Sequence, residues 1–204
     1  MSLFPLKPRP LRRDADTLRD TRLFIVACDD TYAPKQYFAF FQNTRVQVHI
    51  IQTVDGSSAA EHVLGRLLGY AHEEDDERWL LLDTDHCIKN EHLASFKATL
   101  QQAKQKGIFV ALSRPCFELW LLLHHVDESH VGALRHARDT EEKLRETLGQ
   151  YNKTKLKKEH FSSESIIAAC ERAERLDASV GGGEIPSGNT TRVYQLWKAI
   201  NSKP

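Results

Sequence analysis

The chain has 204 residues, 41% hydrophobic and 27% charged, with 28 basic and 28 acidic side chains that cancel to zero formal charge. This is the composition of a soluble globular protein with one sizeable domain and a core, and it excludes a disordered chain, a span of eighteen apolar residues and binding of nucleic acid by bulk positive field. Met1 to Asp20 is rich in Pro and Arg and lacks the apolar stretch of a signal peptide, so a poorly ordered basic arm over residues 1–20 and a cytoplasmic setting are expected. Cys28, Cys87, Cys116 and Cys170 are scattered without C-x-x-C or zinc-finger spacing, which predicts small buried or half-buried residues rather than disulfides or a structural zinc.

Leu23 to Cys28 is a continuous apolar run, a buried strand that ends in Asp29 and Asp30. Thr31 can cap a helix over Tyr32 to Gln42, whose apolar cluster is Tyr37, Phe38, Phe40 and Phe41. Val46 to Ile51 is a second strand, Asp55 to Ser58 a turn and cap, and Ala59 to Ala71 a helix with Val63, Leu64, Leu67 and Leu68 at helical spacing. The acidic run Glu73 to Glu77 reads as a solvated loop. Trp79 to Leu82 is then a strand buried on both faces, followed by Asp83-Thr84-Asp85-His86. A helix over Glu91 to Lys106, closed by Gly107, leads to a fourth strand, Ile108 to Leu112.

Strands alternating with helices predict a three-layer α/β domain over residues 21–126, mainly parallel, with helices on both faces. Side chains two apart on a strand point the same way, so Asp83 and Asp85 share one small volume, and their repulsion at neutral pH makes a divalent cation a natural third party. A helix cap with a turn partner is the plainer reading of the same pair. If the first and third strands are neighbours, Asp29 joins them in the crevice beyond the strand ends.

Ser113-Arg114-Pro115-Cys116-Phe117-Glu118-Leu119-Trp120-Leu121-Leu122-Leu123-His124-His125 follows, with Pro115 suited to the first turn of a helix and Ser113 or Arg114 before it. Glu118 in so apolar a helix needs a partner, such as an arginine, or a polar crevice, and His124 and His125 sit where a helix dipole favours cations. Residues 127–204 read as a helical extension packing on the domain: a charged helix over Val131 to Leu148, a basic stretch from Tyr151 through Lys153, Lys155, Lys157 and Lys158, a helix over Ser163 to Leu176, a joint at Gly181 to Gly183, and a last helix capped by Asn189-Thr190-Thr191. The basic stretch is either a solvated surface or a phosphate-facing element with point charges and one stacking ring, Tyr151.

The segment Ser113 to His125 resembles the signature S-N-P-C-F-E-L-W-L-L-L-H-F of the RloB-like proteins, the second component of AbiL-type abortive-infection systems, departing from it only at Arg114 and His125. Other pieces fall in the family's order: an acid after the first strand followed by Tyr37-Phe38, the D-x-D strand, Tyr151 with Lys153, and Asn189-Thr190-Thr191-Arg192-Val193-Tyr194. The resemblance implies a Toprim-like fold, magnesium (with manganese as substitute) held by Asp29, Asp83 and Asp85, phosphodiester hydrolysis of RNA, such as transfer RNA, or of DNA, and anti-phage defence beside an AAA-type or ABC-type ATPase, the RloA-like or AbiL first component. It makes Glu118 a supporting catalytic acid, assigns Tyr151, Lys153, Lys155 and Lys157 to the nucleic acid, and leaves Asp30, Ser113 and His124 as supporting positions, with a homo-oligomer left open. Where the family shows C-E-G and then T-E, this chain has Cys28-Asp29-Asp30 and Ala33-Pro34, so the first acid is one methylene shorter and a second is replaced by proline. Those departures favour a rival in which the site is degenerate and the protein is a sensor or interaction subunit of the ATPase. A D-x-D phosphohydrolase or sugar-nucleotide enzyme is a weaker third reading.

Overall fold

A computed structural model describes residues 21–30, 32–42, 45–53, 56–85 and 92–202. The expectations placed on residues 1–20, Thr31, Asp55, His86, Cys87 and Glu91 lie outside that set. In chain order the elements are β1 (Arg22–Cys28), α1 (Tyr32–Ala39), β2 (Val46–Ile51), α2 (Ala60–Leu68), β3 (Glu77–Asp83), α3 (Leu93–Gln105), β4 (Phe109–Arg114), α4 (Glu118–Leu123), α5 (Ala137–Leu148), α6 (Ser163–Ser179), β5 (Thr190–Thr191) and α7 (Val193–Asn201). The sheet order is β2-β1-β3-β4-β5, with β1 to β4 parallel and β5 antiparallel at the edge.

The apolar runs become central strands because they carry hydrophobic side chains to both faces. Phe24, Val26, Cys28, Trp79 and Leu81 point to one side, where α1, α4, α6 and α7 cover them. Ile25, Ala27, Leu80, Leu82 and Leu112 point to the other, against α2 and α3. The result is the expected three-layer, Toprim-like α/β arrangement, with one apolar cluster joining a sheet face to the helices that follow α4. Gly107 closes α3 with φ +66°, where a side chain would be strained. Among the described residues no helix is long and apolar enough to cross a membrane.

Several elements depart from the expectations. β4 continues through Ser113 and Arg114, and α4 begins only at Glu118, leaving Pro115 outside the helix. The cause is a partner distant in sequence: Ser113 and Arg114 pair with Thr191 and Thr190, so the threonines expected to cap the last helix form a short edge strand instead. Residues 131–136 are not helical either. The Asn189 side chain holds the carbonyls of Val131 and Leu134 at 2.8 and 2.5 Å, and the Asp139 carboxylate, at the third position of α5, accepts the backbone N–H of His136 at 3.1 Å, which fixes the helix start there. Glu77, expected in the acidic loop, opens β3 and bridges to Arg22 at the start of β1 at 2.5 Å.

Candidate active site

β1 and β3 lie side by side in parallel register, with Cys28 opposite Leu81, so both strands release the chain at one edge of the sheet. There Asp29 turns its carboxylate across to β3. Its Oδ2 accepts the backbone N–H of Asp83 at 2.7 Å and its Oδ1 that of Asp30 at 2.9 Å. Asp30 in turn accepts the N–H of Tyr32 at 2.8 Å, which satisfies a donor at the start of α1. Arg66 on α2 donates to the carbonyls of Cys28 and Ser57, placing a guanidinium behind the end of β1.

Glu118 enters from the first turn of α4, only 4% exposed. Its partner is the Tyr151 hydroxyl, which donates to Oε1 at 2.7 Å, rather than an arginine. Burial pushes the Asp29 carboxyl up from its ordinary value to about 7, against the pull of the backbone amides it binds. Asp83 is raised well above the carboxylate range, first by burial and then by the negative charges of Asp29, Glu118, Asp85 and Asp30. Glu118 is raised by burial, with the Tyr151 hydroxyl opposing. The carboxyl groups of Asp29, Asp30, Asp83, Asp85 and Glu118 thus meet at the strand ends, and an external positive charge would favour the ionised forms of Asp29, Asp83 and Glu118.

All the donors here are carboxylate oxygens, the class that hard dications take. The chemistry of the set fits magnesium or manganese. Its geometry is open: among the described residues no three His, Cys, Asp or Glu side chains are arranged as a metal group. Asp29 explains part of this, because both of its oxygens face backbone amides.

The other expected site residues divide. Ser113 is opposite Asp83 in the sheet, but its hydroxyl is buried against that of Thr191 at 2.9 Å. His124 is in the aromatic core, with Nε2 3.0 Å from the Tyr37 hydroxyl and Nδ1 2.8 Å from that of Ser165; burial first, then the positive charges of His125 and Arg172, lower it to about 3, so the imidazole is neutral rather than the cation a helix dipole would favour. Lys153, Lys155 and Lys157 are exposed on the loop after α5, without an ion-pair partner among the described residues. That loop is fastened beside the acids by Gln36 of α1, whose side chain donates to the carbonyl of Lys153 at 2.6 Å and accepts the N–H of Leu156 at 2.9 Å. Cys28 and Cys116 are buried and Cys170 half-buried, all as free thiols.

The family model described as RloB-like protein matches residues 24–200. The chain belongs to that family. No curated protein and no solved structure matches it. The RloB-like signature turns out to be mostly core, since every residue from Cys116 to Leu123 is buried and Glu118 alone among them carries charge. The terminal N-T-T-R-V-Y segment is a clamp: Arg192 Nε lies 3.1 Å from Asp177 Oδ1, its other nitrogens hold the carbonyls of Gly183 and Glu184, and the Tyr194 hydroxyl donates to Asp177 Oδ2. Sequence reasoning missed both Gln36 and this clamp. The available signal for the clamp was Asp177 on the apolar face of α6, where a carboxylate requires a counter-charge. Gln36, a polar residue on a half-exposed helix, gave none.

Proposed function

We propose that this RloB-like protein is a Toprim-like nuclease subunit that hydrolyses phosphodiesters of RNA, such as transfer RNA, or of DNA with magnesium or manganese, in anti-phage defence beside an ATPase partner. The observation that carries the reading is the contact between Asp29 and the Asp83 amide, which puts the acids of two adjacent strands and Glu118 at one edge of the sheet. Asp83, Asp85 and Asp29 would hold the metal, which supplies positive charge to the phosphate oxygens and lowers the pKa of bound water. Glu118, raised above its ordinary value by burial, is suited to pass a proton at its Oε atoms, with the Tyr151 hydroxyl fixing its orientation. Lys153, Lys155 and Lys157 offer charge to the strand, and the electroneutral whole calls for such local provision.

The test is cleavage of transfer RNA, other RNA and DNA by the purified protein, with and without the ATPase, in Mg²⁺ and Mn²⁺. Activity abolished by Asp83→Asn and by Asp85→Asn supports the reading, and activity indifferent to both refutes it. One observation favours a second reading, a degenerate sensor or interaction subunit that regulates the ATPase: Asp29 spends both oxygens on backbone amides and, raised to about 7, is only about half ionised at pH 7. Calorimetric titration with Mn²⁺ separates the two, because the degenerate site shows no carboxylate-dependent binding.

A further inference from the structure

The loop that carries the lysines also closes a cavity of about 290 Å³. Leu148, Leu156 and the ring of Phe161 give it an apolar wall, Tyr151 and His160 add aromatic surface, and no aspartate or glutamate lines it. Lys155 and Lys157 supply the charge at its margin, both exposed and without ion-pair partners among the described residues. Tyr151 belongs to two places at once: it lines this cavity and donates its hydroxyl to Glu118. One tyrosine therefore separates the cavity from the acidic site, and Gln36 pins the loop on both sides of Lys155.

We propose that the cavity receives one nucleotide of a single strand, its base against the apolar and aromatic wall and its phosphate on Lys155 and Lys157. The inference deepens the nuclease reading and rests on it for the strand. Three features select this ligand. The volume is close to the roughly 300 Å³ at which small-ligand pockets begin, which suits a single nucleotide and excludes a duplex. The wall is the mixed aromatic and aliphatic kind on which an unstacked base gains free energy irrespective of sequence. The cations flank that wall and have no carboxylate to neutralise them within the cavity, as a phosphate beside a buried base requires. A base held there places its strand next to Tyr151 and Glu118, so the pocket would choose which phosphodiester reaches the acids.

The experiment uses the full chain in EDTA, so that binding is read without cleavage. A fluorescein-labelled single-stranded RNA decamer is followed by anisotropy against salt, and ribo- and deoxyribonucleoside 5′-monophosphates of each base are titrated by NMR. Lys155→Glu/Lys157→Glu should weaken the decamer about tenfold or more and reduce the salt slope. His160→Ala should weaken it about fivefold or more with the slope kept, and should change the order of preference among the monophosphates. Melting curves of both variants check folding, and the substitutions fall on an exposed pair and a half-exposed ring. Decamer binding unaltered in both variants, or the absence of binding by decamer and monophosphates to the wild type, overturns the pocket. Monophosphate binding without decamer binding overturns the strand and assigns the site to a free nucleotide. Cleavage in Mg²⁺ or Mn²⁺, with and without the ATPase, is scored separately: cleavage with unaltered binding refutes the pocket alone, whereas pocket binding without cleavage under any of these conditions refutes the nuclease reading alone.

Discussion

Asp29 accepts the backbone N–H of Asp83 at 2.7 Å, so the carboxylate at the end of one strand is tied to the residue that ends its neighbour. The bond fixes the two chain exits against each other and brings two acids together in a partly buried place, at a cost in burial first and repulsion second that shows in the raised Asp83. Asp29 has a folded value of about 7 against an ordinary 3.8. The folded protein thus holds a proton that the unfolded chain releases, and cation-free stability should decline as pH rises from about 4 to about 7. Asp83→Asn, which removes charge and keeps shape, should raise the melting temperature at pH 8 by about 2–4 °C, the equivalent of roughly 1 kcal/mol in a domain this size. Mn²⁺ should stabilise the wild type and leave this variant unmoved. Equal shifts in both proteins, or none, would assign the acids to structure alone.

Much of this arrangement is legible in the sequence. Continuous apolar runs ending in acids specify buried parallel strands and their polar ends, but β3 stops at Asp83, so strand alternation does not reach Asp85, which follows in a turn. The adjacency of β1 and β3 is a matter of topology, which local pattern does not encode. The partner of Glu118 was illegible for a similar reason. Tyr151 is 33 residues away, and its loop is positioned by Gln36, more than a hundred residues earlier in the chain. Thr190 and Thr191 show the opposite failure, in which a good local signal for a helix cap loses to pairing with the edge of β4.

Tyr151→Phe deletes the donor to a buried carboxyl while leaving the ring in place. The change should lower stability by about 1–3 kcal/mol, the usual consequence of leaving a buried polar group unsatisfied, and should raise Glu118 further. Hydrogen exchange over residues 151–157 should quicken, because one fastening of the loop is gone. Gln36→Ala removes the other and should quicken the same amides, with the Leu156 amide affected most. Unchanged exchange in both variants would mean that the loop is held by packing of Leu156 rather than by these bonds.

Arg192 and Asp177 form an ion pair whose side chains are 13% and 12% exposed. Arg192→Met strands a buried carboxylate beside Tyr194 and releases the carbonyls of Gly183 and Glu184, so a loss of about 3–5 kcal/mol is expected in urea denaturation. Asp177→Leu/Arg192→Met should recover part of that loss, because an apolar pair leaves no charge unpaired. A double variant as unstable as the single one would show that the carbonyl bonds of Arg192, rather than its charge, hold the end of the chain.

His124 gives the clearest pH dependence. Both ring nitrogens are engaged inside the aromatic core, by Tyr37 and Ser165, and Trp120 and Phe161 meet the ring edge to face at 5.2 and 5.1 Å. Its folded value is about 3 against an ordinary 6.5, so between those limits the unfolded chain takes up a proton that the native imidazole refuses. The contribution to stability is complete above pH 6.5 and is lost as pH falls, at up to about 1.4 kcal/mol for each pH unit. His125 is also lowered, by burial and by His160, and adds to the same limb. His124→Gln should be less stable at pH 7, where a well-fitted ring has been removed, yet its stability should fall less steeply between pH 6.5 and 5. Urea denaturation at half-unit steps reads both effects. Curves displaced in parallel, with the acid slope unchanged, would locate the proton uptake at another group.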